Sequence, residues 1–200
     1  MLFHYVTESG RRIGVNKKRH LGGHIVGGAE NTFCDKIWQW ALDNFNIKSM
    51  IDIGCGEGYA VSWFDDKNCK SVGIEGSEIA IRNSPKPSLL INHDYCDGPF
   101  IPKEEFDLAW SCEFVEHVDE KFINNFLITF SSAKKIMMTH AVPNQRGHHH
   151  VNCKNSDYWI SRFGSIGYKL DKEATDYTRT LMPNTFYGLT GMVFNYEVCM

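Results

Sequence analysis

Three glycines at alternate positions, Gly54, Gly56 and Gly58, follow the apolar run Met50-Ile51-Asp52-Ile53. Glycine lacks a Cβ, so a turn of this composition adopts unusual backbone angles and lets a ligand come close to its amides. Those amides, with the first turn of a following helix, make a polar cradle. Asp52 precedes it at the carboxyl end of a strand, where open α/β sheets bind ligands. A second group suits proton chemistry. His140 and the run His148-His149-His150 carry imidazoles that titrate near neutrality. Successive side chains of an extended segment alternate in direction, so at most two of the three face one way.

The elements that must position these residues alternate between strand and helix. Asn31 or Thr32 predicts the N-cap of a helix over Phe33 to Phe45, with Phe33, Ile37, Trp40 and Ala41 on one apolar stripe and Asn46 closing it. A strand over 49–53, the glycine turn, a helix over 58–66 and a strand over 71–74 follow. That strand ends at Glu75, about 20 residues beyond the turn, where a βαβ unit sets a carboxylate on ribose hydroxyls. A short helix over 77–83 is stopped by Pro85 and Pro87. The strand over 89–92 runs into His93-Asp94-Tyr95, in which Asp94 suits an adenine amino group and Tyr95 stacks beside it. A strand over 105–112 leads into a helix opening at Glu113 and continuing to Phe130. A strand over 133–140 delivers Thr139 and His140 at its carboxyl end. A helix over 157–163 and a strand over 167–170 come next, and the segment 189–197 returns antiparallel at the sheet edge.

The composition is that of an ordinary globular domain, 42% hydrophobic and 22% charged, in a chain of 200 residues. Residues 1–29, rich in glycine and carrying Arg11, Arg12, Lys17, Lys18 and Arg19, read as an irregular arm. Hinged at Gly22-Gly23 and Gly27-Gly28, the arm could close as a lid, with His24 facing an acceptor. Residues 30–200 form the domain. Seven cysteines without a C-x-x-C pair point to reduced thiols in the cytoplasm. No apolar run reaches the length of a membrane span, and the first residues lack the pattern of a signal peptide. The net charge of −3 gives no electrostatic reason to bind a nucleic-acid duplex.

Four segments in order carry a family resemblance: D-x-G-x-G-x-G over Asp52 to Gly58, VGIEGS over 72–77, HDY over 93–95 and FDLAWSCEFVEHV over 106–118. Together they resemble the class I S-adenosylmethionine-dependent methyltransferases, over roughly Ile37 to Met200. The glycine spacing differs from the G-x-G-x-x-G of dinucleotide-binding proteins, which argues against a nicotinamide oxidoreductase. The resemblance implies an α/β, Rossmann-like fold: a seven-stranded, mostly parallel sheet with an antiparallel seventh strand and helices on both faces. It implies S-adenosylmethionine as cofactor and S-adenosylhomocysteine as product. Gly54, Gly56 and Gly58 would meet the methionine part, Glu75 the ribose and Asp94 the adenine. Cys112 and Glu113 would floor the sulfonium. Asp52, Tyr59, Gly76, Ser77, Tyr95 and His117 complete the implied cofactor set, with Glu116 and His117 ordering the loop.

Methyl transfer is an in-line displacement, and a hydroxyl acceptor must also lose a proton. The expected reaction is O-methylation of a small-molecule or sugar hydroxyl. His140, His149 or His150 would be the base, with Arg146 and Asn152 holding the acceptor. The string H-H-V-N followed by Y-W-I resembles a small set of such enzymes. A metal on the histidines ranks below a base because few carboxylates lie near them in sequence, Asp157 being the closest, and no metal is assigned. A non-catalytic S-adenosylmethionine-binding protein is the alternative from another class. A nucleic-acid methyltransferase is a further one, although Ser111-Cys112-Glu113-Phe114 stands where such enzymes carry Asn/Asp-Pro-Pro-aromatic.

Overall fold

The structure, a computed structural model, describes residues 4–6, 12–15, 18 and 20–197. Gly10, Arg11, Lys17 and Arg19 of the expected arm lie outside the described residues. The rest of the arm is more regular than its composition predicts. Strands β1 (His4–Val6), β2 (Arg12–Val15) and β3 (Gly22–Ile25) pair antiparallel in the order β1-β2-β3. Backbone pairing between nearby segments needs no apolar alternation, so the sequence pattern does not announce it.

The main sheet is built from β4 (Ser49–Ile53), β5 (Lys70–Glu75), β6 (Leu90–Asn92), β7 (Phe106–Ser111), β8 (Ala133–Met138), β9 (Tyr168–Leu170) and β10 (Met192–Tyr196). Its order is β6-β5-β4-β7-β8-β10-β9. The pairs from β6 across to β8 are parallel, and β10 is antiparallel to both its neighbours. The last strand therefore does not lie at the edge as expected; β9 does. Val193 and Phe194 of β10 are completely buried, so an inner position hides them on both faces.

Alternation along the strands divides the core in two. Ile51, Ile53, Ala109, Ile136, Met138, Met192 and Phe194 face one side, where Phe126 and Phe130 of α4 (Ile123–Phe130) and Trp159 and Phe163 of α5 (Ser156–Gly164) cover them. Met50, Leu108, Trp110, Met137 and Val193 face the other. There α1 (Asp35–Phe45), α2 (Tyr59–Asp65), α6 (Lys172–Leu181) and α7 (Phe186–Thr190) supply Ile37, Trp38, Phe64, Ala174 and Tyr187. The remaining helix, α3 (Glu78–Asn83), is capped by the Ser77 hydroxyl, which accepts from the Ala80 amide at 3.2 Å.

Three local expectations are corrected. Helix α1 starts at Asp35 after a 3-10 turn over Glu30–Thr32, so neither Asn31 nor Thr32 caps it; the Thr32 hydroxyl donates to the Ala29 carbonyl instead. Asn46 does end α1, in the left-handed conformation that closes helices. The segment from Glu113 does not open one long helix. It makes 3-10 turns at Val115–His117 and Glu120–Phe122 before α4, because Glu113 has φ 55° and its amide is taken by Thr139 Oγ1 at 2.8 Å. Leu189 belongs to α7, not to the final strand, and the reading of the sequence passed over α6 and α7, although Asp171 and Thr185 are N-cap residues before them. No helix among the described residues is long and apolar enough to cross a membrane.

Candidate active site

The glycine turn joins β4 to α2, and all three of its alternate glycines sit in the left-handed region, at φ 74°, 55° and 74°. The amides of Gly54 and Cys55 both donate to the Ile74 carbonyl, which ties the turn to the end of β5. A Cβ on Gly54 would overlap the Phe114 ring, whereas one on Gly56 would meet nothing closer than His24 Cβ at 4.0 Å. Gly56 thus presents bare backbone to the cavity above it. That cavity, of about 660 Å³, opens at the carboxyl ends of β4, β5 and β7.

Glu75 ends β5 and turns back under the loop. Its Oε2 accepts from the Gly56 amide at 2.8 Å and its Oε1 from the Ser77 amide at 2.7 Å. Burial pushes its carboxyl up to about 7, against the pull of those amides. Asp52 is also buried and is pushed well up by burial and by Glu75. Asp94 behaves differently. Burial would raise it, but the Lys18 ammonium at 2.8 Å, the Cys96 amide at 2.9 Å and His20 Nε2 at 2.8 Å outweigh that and hold it at about 2. Both oxygens of the residue expected to meet an adenine therefore have partners, two of them from the arm.

A second tie holds the arm on the site. The buried Glu57 carboxylate accepts from the Gly27 amide at 2.9 Å and from Asn83 Nδ2 at 3.1 Å, with His24 Nε2 3.9 Å away. Sequence reasoning named the glycines around Glu57 but passed over Glu57 itself. Its signal was available, since a carboxylate inside a glycine turn is held near many amides.

The far wall carries the histidines. Glu113 lines the cavity in a left-handed conformation that a side chain rarely adopts, a mark of functional turns. Burial raises its carboxyl to about 7, and the Thr139 hydroxyl donates to it at 3.2 Å. Behind it Glu116 is completely buried, and no side chain among the described residues partners its carboxylate oxygens. Burial, and Glu113 beside it, push that carboxyl well up. Burial and His150 push His117 down to about 4. The rings of His117 and His150 meet edge to face, 4.9 Å between centroids. The histidine loop reaches this corner because the Val151 and Asn152 amides both donate to the Glu116 carbonyl, at 2.9 and 3.1 Å.

The other residues singled out in the sequence divide clearly. Asp52, Gly54, Gly56, Tyr59, Glu75, Gly76, Asp94, Tyr95, Cys112, Glu113, His117, His24 and His150 line the one cavity. Gly58 and Ser77 lie beside it as helix caps. His140 is buried away from it, with Nε2 3.1 Å from Ser156 Oγ and Nδ1 3.3 Å from the Ala141 carbonyl. His149, at φ 48°, is not in its wall and stands near His20 of the arm. Arg146 lines a separate shallow depression with Asn144 and Gln145. Asn152 is buried, donating to the Val115 carbonyl at 3.4 Å.

Comparison with known proteins bears on the domain and its fold. Residues 51–128, from β4 into α4, match the family model of a methyltransferase domain. No curated protein matches the chain. Among solved structures, the methyltransferase domain of bacterial CtHen1-C superposes with a TM-score of 0.56 at 18% identity, covering 84% of this chain and 98% of that one. A SAM-dependent methyltransferase from Archaeoglobus fulgidus gives 0.60 at 13% identity, covering 86% and 96%. An O-methyltransferase from a trans-AT PKS multienzyme of Brevibacillus brevis, in complex with S-adenosyl-L-homocysteine, gives 0.59 at 13% identity, covering 82% and 71%. Residues 51–128 thus resemble a methyltransferase domain, and the fold is the one that these S-adenosylmethionine-dependent methyltransferases of class I share. The cofactor of that class is S-adenosylmethionine, and the cavity fits it. The carboxyl groups of Asp52, Glu57, Glu75, Asp94 and Glu113 line it, where a sulfonium or an ammonium would favour their ionised forms, and the open face of Gly56 admits a close ligand.

Proposed function

We propose that the protein methylates a hydroxyl group of a small or saccharide acceptor in a reducing, cytoplasmic compartment. The observation that carries the reading is the meeting of His117 and His150 with the carboxylate-lined glycine turn in one cavity, Glu116 standing behind them. Bound S-adenosylmethionine supplies an electrophilic methyl on a positively charged sulfur. Glu75 is set to accept from ribose hydroxyls, and the glycine turn and Glu57 fix the floor. With that cofactor bound, the acceptor oxygen would form the new C–O bond as the C–S bond breaks, the electron pair staying on sulfur. The hydroxyl proton leaves at the histidine corner. Of the three candidate bases, His150 is the one that lines the cavity, so it carries the role and His140 and His149 do not. A cavity of about 660 Å³ that also holds the cofactor leaves room for a compact acceptor.

The test is calorimetric titration with S-adenosylmethionine, S-adenosylhomocysteine and NAD, followed by transfer of labelled methyl to a panel of sugars and small alcohols. Binding of the first two and a turnover that His150→Ala lowers at least a hundredfold are expected. Heat from NAD alone, or a His150→Ala enzyme that turns over normally, would sink the reading.

A further inference from the structure

We propose that Glu116, His117 and His150 bind a divalent transition-metal ion at the wall of the cavity. One ligand atom from each lies within 4.8 Å of the others, the spacing at which a single ion can be shared. Two of the three residues are adjacent on a 3-10 turn and the third arrives 33 positions later (150 − 117), so the fold, not the sequence, makes the set. Glu116 is the carboxylate that proximity in sequence does not place beside the histidines.

Four features argue for an ion over a chance cluster. The Glu116 carboxyl is wholly enclosed, and apart from the backbone of Glu116 and Ala141 acting on it, no side chain among the described residues partners its oxygens. Buried polar atoms are nearly always satisfied, so a carboxyl with no side-chain partner, set against two imidazoles, points to something between them. The His150 ring is oriented from behind, because its Nδ1 lies 3.1 Å from the Gln145 carbonyl, which can only accept. That bond fixes the proton on Nδ1 and leaves Nε2 with its lone pair, the arrangement by which metal-bound histidines are oriented. The loop itself is pinned to the turn through the Glu116 carbonyl. Finally, the other cluster of suitable residues, His20, Asp94 and Cys96, lacks this signature, because both Asp94 oxygens already have protein partners.

Two imidazoles and one carboxylate suit manganese, iron, cobalt or zinc over magnesium or calcium, which prefer all-oxygen sites. Three protein ligands leave coordination positions open. The ion's role in the reaction rests on the methyl-transfer reading: it would seat the acceptor oxygen beside the methyl group and lower the pKa of that hydroxyl, so that the proton passes to solvent. His150 would then be a ligand and not the base. The ion's binding, however, rests on the side chains alone.

The experiment titrates the full chain, stripped with chelator, with Co²⁺ followed by visible absorption, and with Zn²⁺, Mn²⁺ and Mg²⁺ by calorimetry. S-adenosylhomocysteine is titrated in parallel, and thermal melts check each variant's fold. One equivalent of Co²⁺ or Zn²⁺ should bind at least tenfold more tightly than Mg²⁺. Glu116→Gln and His150→Ala should each weaken that binding at least tenfold, and His149→Ala should not. Absence of stoichiometric binding, or retention of it in both variants, overturns the proposal. If that happens while S-adenosylhomocysteine still binds, the methyl-transfer reading survives with His150 as a plain base. If the ion binds and the nucleoside does not, the metal site stands and that reading falls.

Discussion

Glu57 is the residue through which the arm and the glycine turn depend on one another. Its carboxylate is 2% exposed and joins Gly27 of the arm to Asn83 of α3. Glu57→Ala deletes both acceptors. A hydrogen bond to a charged group is worth about 1.5–3 kcal/mol. Gly27 is itself exposed, so water replaces the bond to its amide and the lower figure applies to the arm. About 1.5 kcal/mol is roughly tenfold in the docking equilibrium. Hydrogen exchange followed by mass spectrometry should therefore show residues 24–29 opening about tenfold more often in Glu57→Ala. S-adenosylhomocysteine should bind correspondingly more weakly if the docked arm covers it. Glu57→Gln, which keeps an oxygen for Gly27, should lose less. Unchanged exchange at Gly27 and Gly28 in Glu57→Ala would refute the idea that this carboxylate holds the arm.

The Glu75 carboxyl is raised to about 7 from an ordinary value near 4.5, so between those pH values the folded protein carries a proton that the unfolded chain has lost. Its contribution to stability therefore falls as pH rises through that window, whereas a ribose needs the ionised form. S-adenosylhomocysteine affinity should rise with pH up to about 7 and then level, and Glu75→Gln should flatten the curve. Gly58→Ala places a side chain at φ 74° with its Cβ 2.9 Å from Leu90 Cδ2, and should cost about 1–2 kcal/mol in urea unfolding. The Asn155 side chain caps α5 by accepting from the Tyr158 amide at 3.0 Å, so Asn155→Ala should cost about 1 kcal/mol in the same assay. His140→Ala should destabilise the fold by about 1–3 kcal/mol while leaving kcat within a few-fold, because its ring faces Ser156 and not the cavity.

What could be read directly from the chain was whatever depends on neighbours in sequence. The glycine turn announces itself because the left-handed backbone at Gly54, Gly56 and Gly58 excludes most other residues. Glu75 follows from the length of one βαβ unit. The histidine corner was half visible: the three histidines stand out, but their carboxylate comes from another turn, and the pairing of the Val151 and Asn152 amides with Glu116 helps bring the two together. His140 looked like a strand-end base because position alone does not tell whether a ring turns into the cavity or into the core. The arm misled for a related reason. Its glycines suggest freedom, while Lys18 on Asp94 and Gly27 on Glu57 are long-range contacts that composition does not encode.

The inner place of β10 bears on how the protein is made. Strand β9 leaves the ribosome before the strand it pairs with, and β8 keeps an unfilled hydrogen-bonding edge until residues 192–196 arrive between them. The five parallel strands and the glycine turn are complete by residue 138, so this half can assemble while synthesis continues. The sheet as a whole closes only when residues 192–196 emerge, by threading a strand into a gap instead of adding one to a rim. Such late, non-local pairing is slow and exposes a sticky edge in the interim. The nascent chain should need protection during that interval, and damage to β10 should reveal itself first as aggregation in the cell, ahead of any loss of catalytic rate.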